Sequence, residues 1–456
     1  MAGIGFTLRR MLGEEGLAGP LKAFAYSALI ASGPWLTSSV ALALLGMFSA
    51  LGTGSDEGRV FLALVSYAFA FSLVGVGAVQ MVASRFLADR LYSESPDDFS
   101  PAFAQLLTPL LLVQLLAAIG FLHFVPLPLE VEALAVVFYL ALNGTWLAMI
   151  FLSAAHDYRA IVAAFAGGWG LSLAGGYWGS HALGLTGQMA GFAAGALATF
   201  FMLAARIDRE FGVPNQAVSR LWPAFKTYWQ LALVGLTYNL ATWIDKILFW
   251  IHPETGESVA GALKASPVYD NAMFLSYLTI IPALALFLMK VETDFFDAYR
   301  GYFASIASHE NLAKLKDAKA EMVRTMRQGL GLMLKVQGAI TLAVILLTPE
   351  IAAWLNLSWL SLFVFRTGTL GAFLHVLHLS VLVLMLYFDF RREATWLALT
   401  FLGTNTLFTL ASFAGGLPAY GYGYALSGAV TLFVGLLLLD RNLEDLEYHV
   451  FMKQPL

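Results

Sequence analysis

Long apolar runs, separated by short polar breaks, fill almost the whole chain. A bilayer core takes about 20 apolar residues per helical crossing. By that measure the first half offers spans at 23–51, 60–86, 101–125, 131–155, 158–182 and 185–206, and the second half at 224–251, 268–290, 329–348, 359–388, 394–414 and 420–439. The pattern predicts an all-α polytopic membrane protein of about twelve transmembrane helices in two six-helix lobes. The halves do not match in sequence, so their symmetry is one of topology. An even number of spans in each half gives a parallel repeat about the membrane normal.

Two long polar breaks interrupt the pattern. The first, Arg206 to Lys226, lies at the middle of the chain and carries Arg206, Arg209, Arg220, Lys226 and two prolines. It reads as a cytoplasmic linker. The second, Glu292 to Gln328, reads as two cytoplasmic helices. An aromatic one carries Phe295, Phe296, Tyr299, Tyr302 and Phe303; the other is N-capped by Ser308, with a stripe of Leu312, Leu315, Met322 and Met326 and a Glu310–Lys314 pair. It suits a membrane-lying helix or a docking surface for a cytoplasmic enzyme. At the start, Ile4, Leu8, Met11 and Leu12 share one helical face and predict an amphipathic helix on the inner membrane surface. The expected divisions are an interfacial helix at 1–20, a first lobe at 21–206, the linker at 207–223, a second lobe at 224–440 containing the insertion 292–328, and a cytoplasmic tail at 441–456.

Composition agrees with the pattern. Hydrophobic residues make up 59% and charged residues 12%, with a mean hydropathy of +0.73, against roughly 25% charged residues in soluble domains. The net charge of -4 is small and argues against a nucleic-acid partner. With no cysteine, thiolate chemistry and Cys-ligated metals are excluded. Of the 26 lysines and arginines, 22 fall on the linker's side of this topology, two (Arg59, Lys264) on the other side and two (Lys246, Arg366) inside spans. The positive-inside rule then places the linker and both termini in the cytoplasm.

Small residues recur every fourth position at Gly168, Ser172, Gly176 and Ser180, at Gly187, Gly191 and Gly195, and at Gly423, Ser427, Thr431 and Gly435. In lipid, where no hydrophobic force joins helices, such strips permit close packing. Gly33 and Pro34 interrupt the first span within Ser32-Gly33-Pro34-Trp35, and Pro282 interrupts the eighth. Each predicts a kink that is either static or a hinge.

Charge in the membrane cores of the spans is confined to the second half: Asp245 and Lys246 near the outer end of span seven, Asp270 at the outer start of span eight and Arg366 two turns into span ten. Ionisable groups in lipid mark a pathway or an ion pair. As a staple, Lys246 would pair with Asp270, and Arg366 with Asp245 or Glu350. As a vestibule, Arg366 and Lys246 would meet a sugar hydroxyl or phosphate. His375 and His378 share a face of span ten and suit a relay or simple cavity polarity better than a metal, since no third ligand is evident. Trp169, Tyr177, Trp178, Tyr238 and Trp243 are aromatics that either stack on sugars or anchor helices.

The outer loops are too short for glycosyltransferase carboxylates, and no phosphate loop, hydrolase elbow or metal set is present. Those absences argue against an enzyme and call for no cofactor. The remaining readings are an exporter of a polar solute, a flippase of a lipid-linked oligosaccharide, a cation-coupled small-solute exporter, and a scaffold for a synthase complex.

Three stretches carry a resemblance: MAGIGFTLRRML at the start, ASGPW at Ala31 to Trp35, and SRFLADRLY at Ser84 to Tyr92. They resemble the PelG family of the bacterial Pel exopolysaccharide system, over essentially the whole chain. That family is similar in architecture to flippases and multidrug exporters of the MOP superfamily, MATE transporters among them. The resemblance implies two lobes around a central cavity, a location in the bacterial inner membrane and export of an N-acetylhexosamine-rich glycan. It also implies a PelF-like cytoplasmic glycosyltransferase and PelD-like and PelE-like membrane subunits as partners, with cyclic di-GMP control through the PelD-like subunit. It brings no site residues, so the candidates above rest on the charge argument.

Overall fold

The computed structural model describes residues 8, 10–13, 18–28, 30–31, 55–93, 98–212, 221–355 and 357–453. Nine helices among the described residues are long and apolar enough to cross a membrane. The kink at Gly33 and Pro34, most of the expected first span, and residues 213–220 of the expected linker lie outside the described residues. Packing divides the chain into two compact units, residues 33–266 and residues 1–32 with 267–456.

The first unit contains α1 (Asp56–Tyr92), α2 (Phe99–Leu122), α3 (Leu129–Ala154), α4 (Tyr158–Phe211), α5 (Leu221–Thr227) and α6 (Trp229–Ile251), then a hairpin of β1 (Glu257–Ala260) and β2 (Leu263–Ala265). Helix α1 begins where the Ser55 hydroxyl accepts the Gly58 N–H at 3.0 Å, with Asp56 and Glu57 favourably placed at the positive end of the dipole. It crosses α6 at glycines, since a Cβ on Gly77 would lie 2.6 Å from the Gly235 carbonyl oxygen.

Helix α4 holds two expected spans in one element, because Leu183 and Gly184 leave helical geometry and reverse the chain. Gly184 has φ +59°, a conformation that costs a glycine little. The Glu57 carboxylate accepts the Leu185 N–H at 3.1 Å and holds that turn. The two arms then touch along the predicted small-residue strips, where a Cβ on Gly168 would lie 2.7 Å from the Gly195 carbonyl oxygen and one on Gly195 2.6 Å from the Ser172 backbone nitrogen, and at Gly175 and Gly179 beside them. At the open end Arg206 pairs with Asp157 at 2.5 Å and closes the pair of arms. Burial pushes the neighbouring His156 imidazole below its ordinary pKa.

The segment after α6, expected as an outer loop, is the antiparallel β1–β2 hairpin, with Glu257 opposite Ala265. Arg59 on α1 pairs with Glu257 at 2.7 Å, and the Ala262 N–H donates to the Phe124 carbonyl at 3.1 Å. The hairpin is thereby fixed to α1 and to the end of α2.

The second unit contains α7 (Pro267–Leu278), α8 (Ile281–Lys290), a π turn (Val291–Phe295), α9 (Phe296–Ala307), α10 (Leu312–Leu346), α11 (Thr348–Trp354), α12 (Trp359–Tyr387), α13 (Arg391–Ala414), a 3-10 turn (Leu417–Ala419), α14 (Tyr422–Glu444) and α15 (Leu446–Lys453). Pro282 stands in the first turn of α8, immediately after the helix breaks. The predicted strip on α14 is buried against its neighbours: a Cβ on Gly423 would meet Thr409 backbone at 2.6 Å, and the Ser427 and Thr404 hydroxyls bond at 2.8 Å.

The insertion differs from expectation in three ways. Ser308 ends α9 instead of capping α10, because its hydroxyl donates back to the Ala304 carbonyl at 2.7 Å and His309 takes φ +54°. Asn311 is the cap, accepting the Lys314 N–H at 2.9 Å. The expected second polar helix and ninth span are one 35-residue helix, about 50 Å long at 1.5 Å per residue. On it Leu315, Met322 and Met326 are buried as the stripe predicted, whereas Leu312 is exposed in the first turn. Arg327 pairs with Asp440 at 3.0 Å, and the Lys319 ammonium reaches the Glu444 carbonyl at 2.8 Å, so α10 is bound to the end of α14.

The contact between the α4 arms yields a test. Gly191→Ala should lower stability by about 1–3 kcal/mol, because the methyl group meets backbone that cannot give way. Gly170→Ala on the same helix meets open space and should be neutral. Thermal unfolding of the purified protein in detergent separates the two outcomes.

Candidate functional site

The intramembrane charges of the first unit sit together near the end of α6. Asp245 is wholly buried and Lys246 nearly so. Adjacent helical residues diverge by about 100°, yet the four-carbon stem of lysine is long enough to curl back. The Lys246 ammonium donates to both Asp245 carboxylate oxygens at 3.0 Å and to the Thr242 carbonyl at 3.0 Å. Lys246 therefore finds its counter-charge one residue away on its own helix. A buried pair of this kind is stable only while both members stay, since either charge alone would be stranded.

Aromatic rings surround the pair. The ammonium lies 5.9 Å from the Trp243 ring centre, and Trp243 lies 6.4 Å from Trp250. Trp250 stacks on Tyr67 of α1 at 4.5 Å, and Tyr67 stacks on Phe121 of α2 at 5.3 Å. Tyr238 is half-buried one turn before Thr242, whose hydroxyl donates to the Tyr238 carbonyl at 2.9 Å. Trp169 lies elsewhere, in the core of the unit, stacked on Phe69 at 5.9 Å. Tyr177 and Trp178 on the same arm of α4 are exposed.

The second unit carries the remaining candidates. Asp270 lies half-buried in the first turn of α7. Arg366 is exposed on α12, two turns after the Ser358 cap. Among the described residues of its own unit its guanidinium has no ion-pair partner, Glu350 included.

His375 and His378 are both buried on the packed face of α12, their rings 4.7 Å apart. Phe401 of α13 lies 4.4 Å from His378, and Tyr277 of α7 and Tyr424 of α14 lie 6.0 and 5.9 Å from His375. Small residues make room for this arrangement. A Cβ on Gly368 would meet the Ser276 hydroxyl at 2.7 Å, and Gly371 lies under the Tyr424 ring. Among the described residues no group of three or more histidines and carboxylates stands together. The two imidazoles are thus packed among aromatic rings in the helix interface.

Two polar features escaped the sequence reading. In the first unit, the Tyr139 hydroxyl donates to the Gln114 amide oxygen, the Asn143 amide donates to the Tyr139 carbonyl at 2.9 Å, and the Trp146 indole donates to the Ser72 hydroxyl at 3.0 Å. These residues are uncharged, so a search for intramembrane charge passes over them. In the second unit, Glu292 is buried, although its place in a polar break suggested a surface position.

Comparison with known proteins bears on these sites. Residues 1–451 match the family described as "PelG: Putative exopolysaccharide Exporter (EPS-E)". No curated protein matches the chain. Among solved structures, the fold is similar to an outward-facing multidrug resistance MATE family transporter of the MOP superfamily, with a TM-score of 0.61 and 14% identity over 98% of this chain and 99% of that one. An inward-facing structure of such a transporter gives 0.58 and 14% over 98% and 99%. A MOP superfamily transporter from Pyrococcus furiosus gives 0.56 and 15% over 96% and 98%. At these identities the likeness is one of fold.

The Asp245–Lys246 pair supports a prediction about stability. Lys246→Ala strands the aspartate and should cost about 3–5 kcal/mol, whereas the double replacement Asp245→Asn with Lys246→Met should cost much less. A double-mutant cycle from thermal unfolding in detergent measures the difference; additive costs would mean that the two charges are not coupled.

Proposed function

The chain belongs to the PelG exopolysaccharide exporter family, and from that membership we propose that it carries a Pel-type, N-acetylhexosamine-rich glycan outward across the bacterial inner membrane. The observation that carries this reading is the family match over residues 1–451 on a fold of the MATE and MOP transporter type. The protein is a multi-pass membrane protein of a transporter family, which suggests a non-enzymatic role. The distribution of lysine and arginine favours cytoplasmic termini, and it sets the helices of residues 292–328 on the side where a PelF-like glycosyltransferase works. PelD-like and PelE-like subunits complete the proposed assembly.

Arg366 supports a route for polar cargo. An arginine facing hydrocarbon is costly, up to about 2.5–3.5 kcal/mol at a helix centre on insertion scales and less toward the end of a span, where Arg366 lies. This one is exposed and has no ion-pair partner among the described residues, which favours a wetted surface over lipid. A guanidinium there can donate to sugar hydroxyls or to a phosphate during passage.

Arg366→Ala should therefore abolish glycan secretion while leaving the amount of inserted protein and the synthesis of polymer unchanged. Secretion assays beside an immunoblot and a measure of intracellular polymer check this, and unchanged secretion removes Arg366 from the route. Proteoliposomes supplied in turn with free polymer and with lipid-linked glycan, each with and without a proton gradient, identify the cargo. Transport of neither glycan under any gradient would overturn the export reading.

A further inference from the structure

Glu292 is the second residue of the π turn Val291–Phe295, which joins α8 to α9. Such turns are rare and recur at functional sites, because the extra residue they hold can shift with little loss of helix. The Glu292 side chain is 2% exposed. Its Oε1 accepts one hydrogen bond, at 3.1 Å, from the Tyr387 hydroxyl at the end of α12. Its Oε2 is buried with no hydrogen-bond partner. The rings around the turn are Phe295, which meets Tyr387 at 5.7 Å and Phe388 at 5.9 Å, and Tyr299, which meets Tyr387 at 6.2 Å.

The side-chain charges on the packed elements are engaged elsewhere. Lys290 of α8 pairs with Asp294 of the turn itself at 2.7 Å. On α9, Arg300 lies 5.8 Å over the Phe296 ring, and Asp297 has an interaction of its own. On α10, the stretch facing the turn carries Arg327, held by Asp440 at 3.0 Å. Beyond α12, Asp389 and Arg391 pair at 2.6 and 2.8 Å. A cavity of about 20 Å³, lined by Lys290, Val291, Phe295, Thr325, Met326 and Gly329, lies against the turn, and that volume holds about one water.

A carboxylate with a single neutral donor in an aromatic shell is poorly solvated, and buried groups so placed neutralise by taking up a proton. We propose that Glu292 is a proton-binding site whose occupancy sets the state of the π turn. Protonated, it stays folded against Tyr387 as the structure shows. Ionised, it draws the turn open toward water, and α8 shifts against the end of α12. On uptake a hydronium gives its proton to Oε2, an O–H bond forms, and water is released; on release the same bond breaks to water. That this proton drives export is a further step, and it rests on the transport reading above; the binding does not.

The test is an infrared pH titration of the full-length protein in lipid nanodiscs, read at the C=O stretch of protonated carboxyl groups. A band should persist well above about pH 4.3, where a free glutamate loses its proton, and should be lost in Glu292→Gln. Tyr387→Phe removes the hydroxyl that favours the charged form, so the band should persist to still higher pH. If Glu292→Gln removes no band, or if the band titrates as free glutamate does, the proposal fails and Glu292 is a fixed, ionised partner of Tyr387. Should Glu292→Gln not accumulate as folded protein, the Tyr387→Phe shift decides alone, and no shift overturns the proposal. Loss of the band with unchanged glycan export would remove the proton from the drive while leaving the site intact. Failure of the unsubstituted protein to move glycan in proteoliposomes counts against the transport reading only.

Discussion

Hydrocarbon offers no water to solvate a charge or to satisfy a backbone group, so this chain has to do both from within. That constraint explains why the first unit is held by glycine backbones in contact along α4 and at the crossing of α1 with α6, where soluble helices would rely on hydrophobic attraction. It explains equally why Lys246 takes its counter-charge from the neighbouring residue and its third hydrogen bond from the Thr242 carbonyl. A charge in or near the apolar region is either compensated within the fold or left exposed.

Both kinds of charge are present. Asp245 and Lys246 compensate each other on one helix, with the Trp243 ring 5.9 Å from the ammonium, a local arrangement that lowers the cost of two buried charges. Arg366 is the opposite case, exposed and without an ion pair among the described residues. Glu292 lies between them, with one oxygen answered by Tyr387 and one not. Within a transporter family, such differences in compensation separate residues that hold the fold from residues that engage cargo or ions.

Much of this was legible in the sequence because the physics is periodic. Apolar length located the helices, and the four-residue repeat of Gly and Ser located the contact between the arms of α4. Whole-chain resemblance pointed to the family that the match over residues 1–451 shows. What escaped depends on three-dimensional neighbours. Ser308 and Asn311 are equally good caps on paper, and only the back-bonded Ser308 hydroxyl decides between them. That Lys246 bonds Asp245 was not legible because side chains one apart normally diverge. Glu292 was hidden by its polar neighbours in sequence, whereas burial is set by α9, α10 and Tyr387, which arrive from elsewhere in the chain.

The reversal at Leu183 and Gly184 has a consequence for how the protein is made. Two residues cannot span a bilayer, nor can they wait as an exposed loop while one arm enters and the other follows later. The arms of α4 must pass into the membrane together, already folded on each other, as a helical hairpin leaving the ribosome's exit channel. The small-residue strips are then the contact the hairpin makes on entry, and it joins α1, α2 and α3, which precede it in the chain, as one paired element.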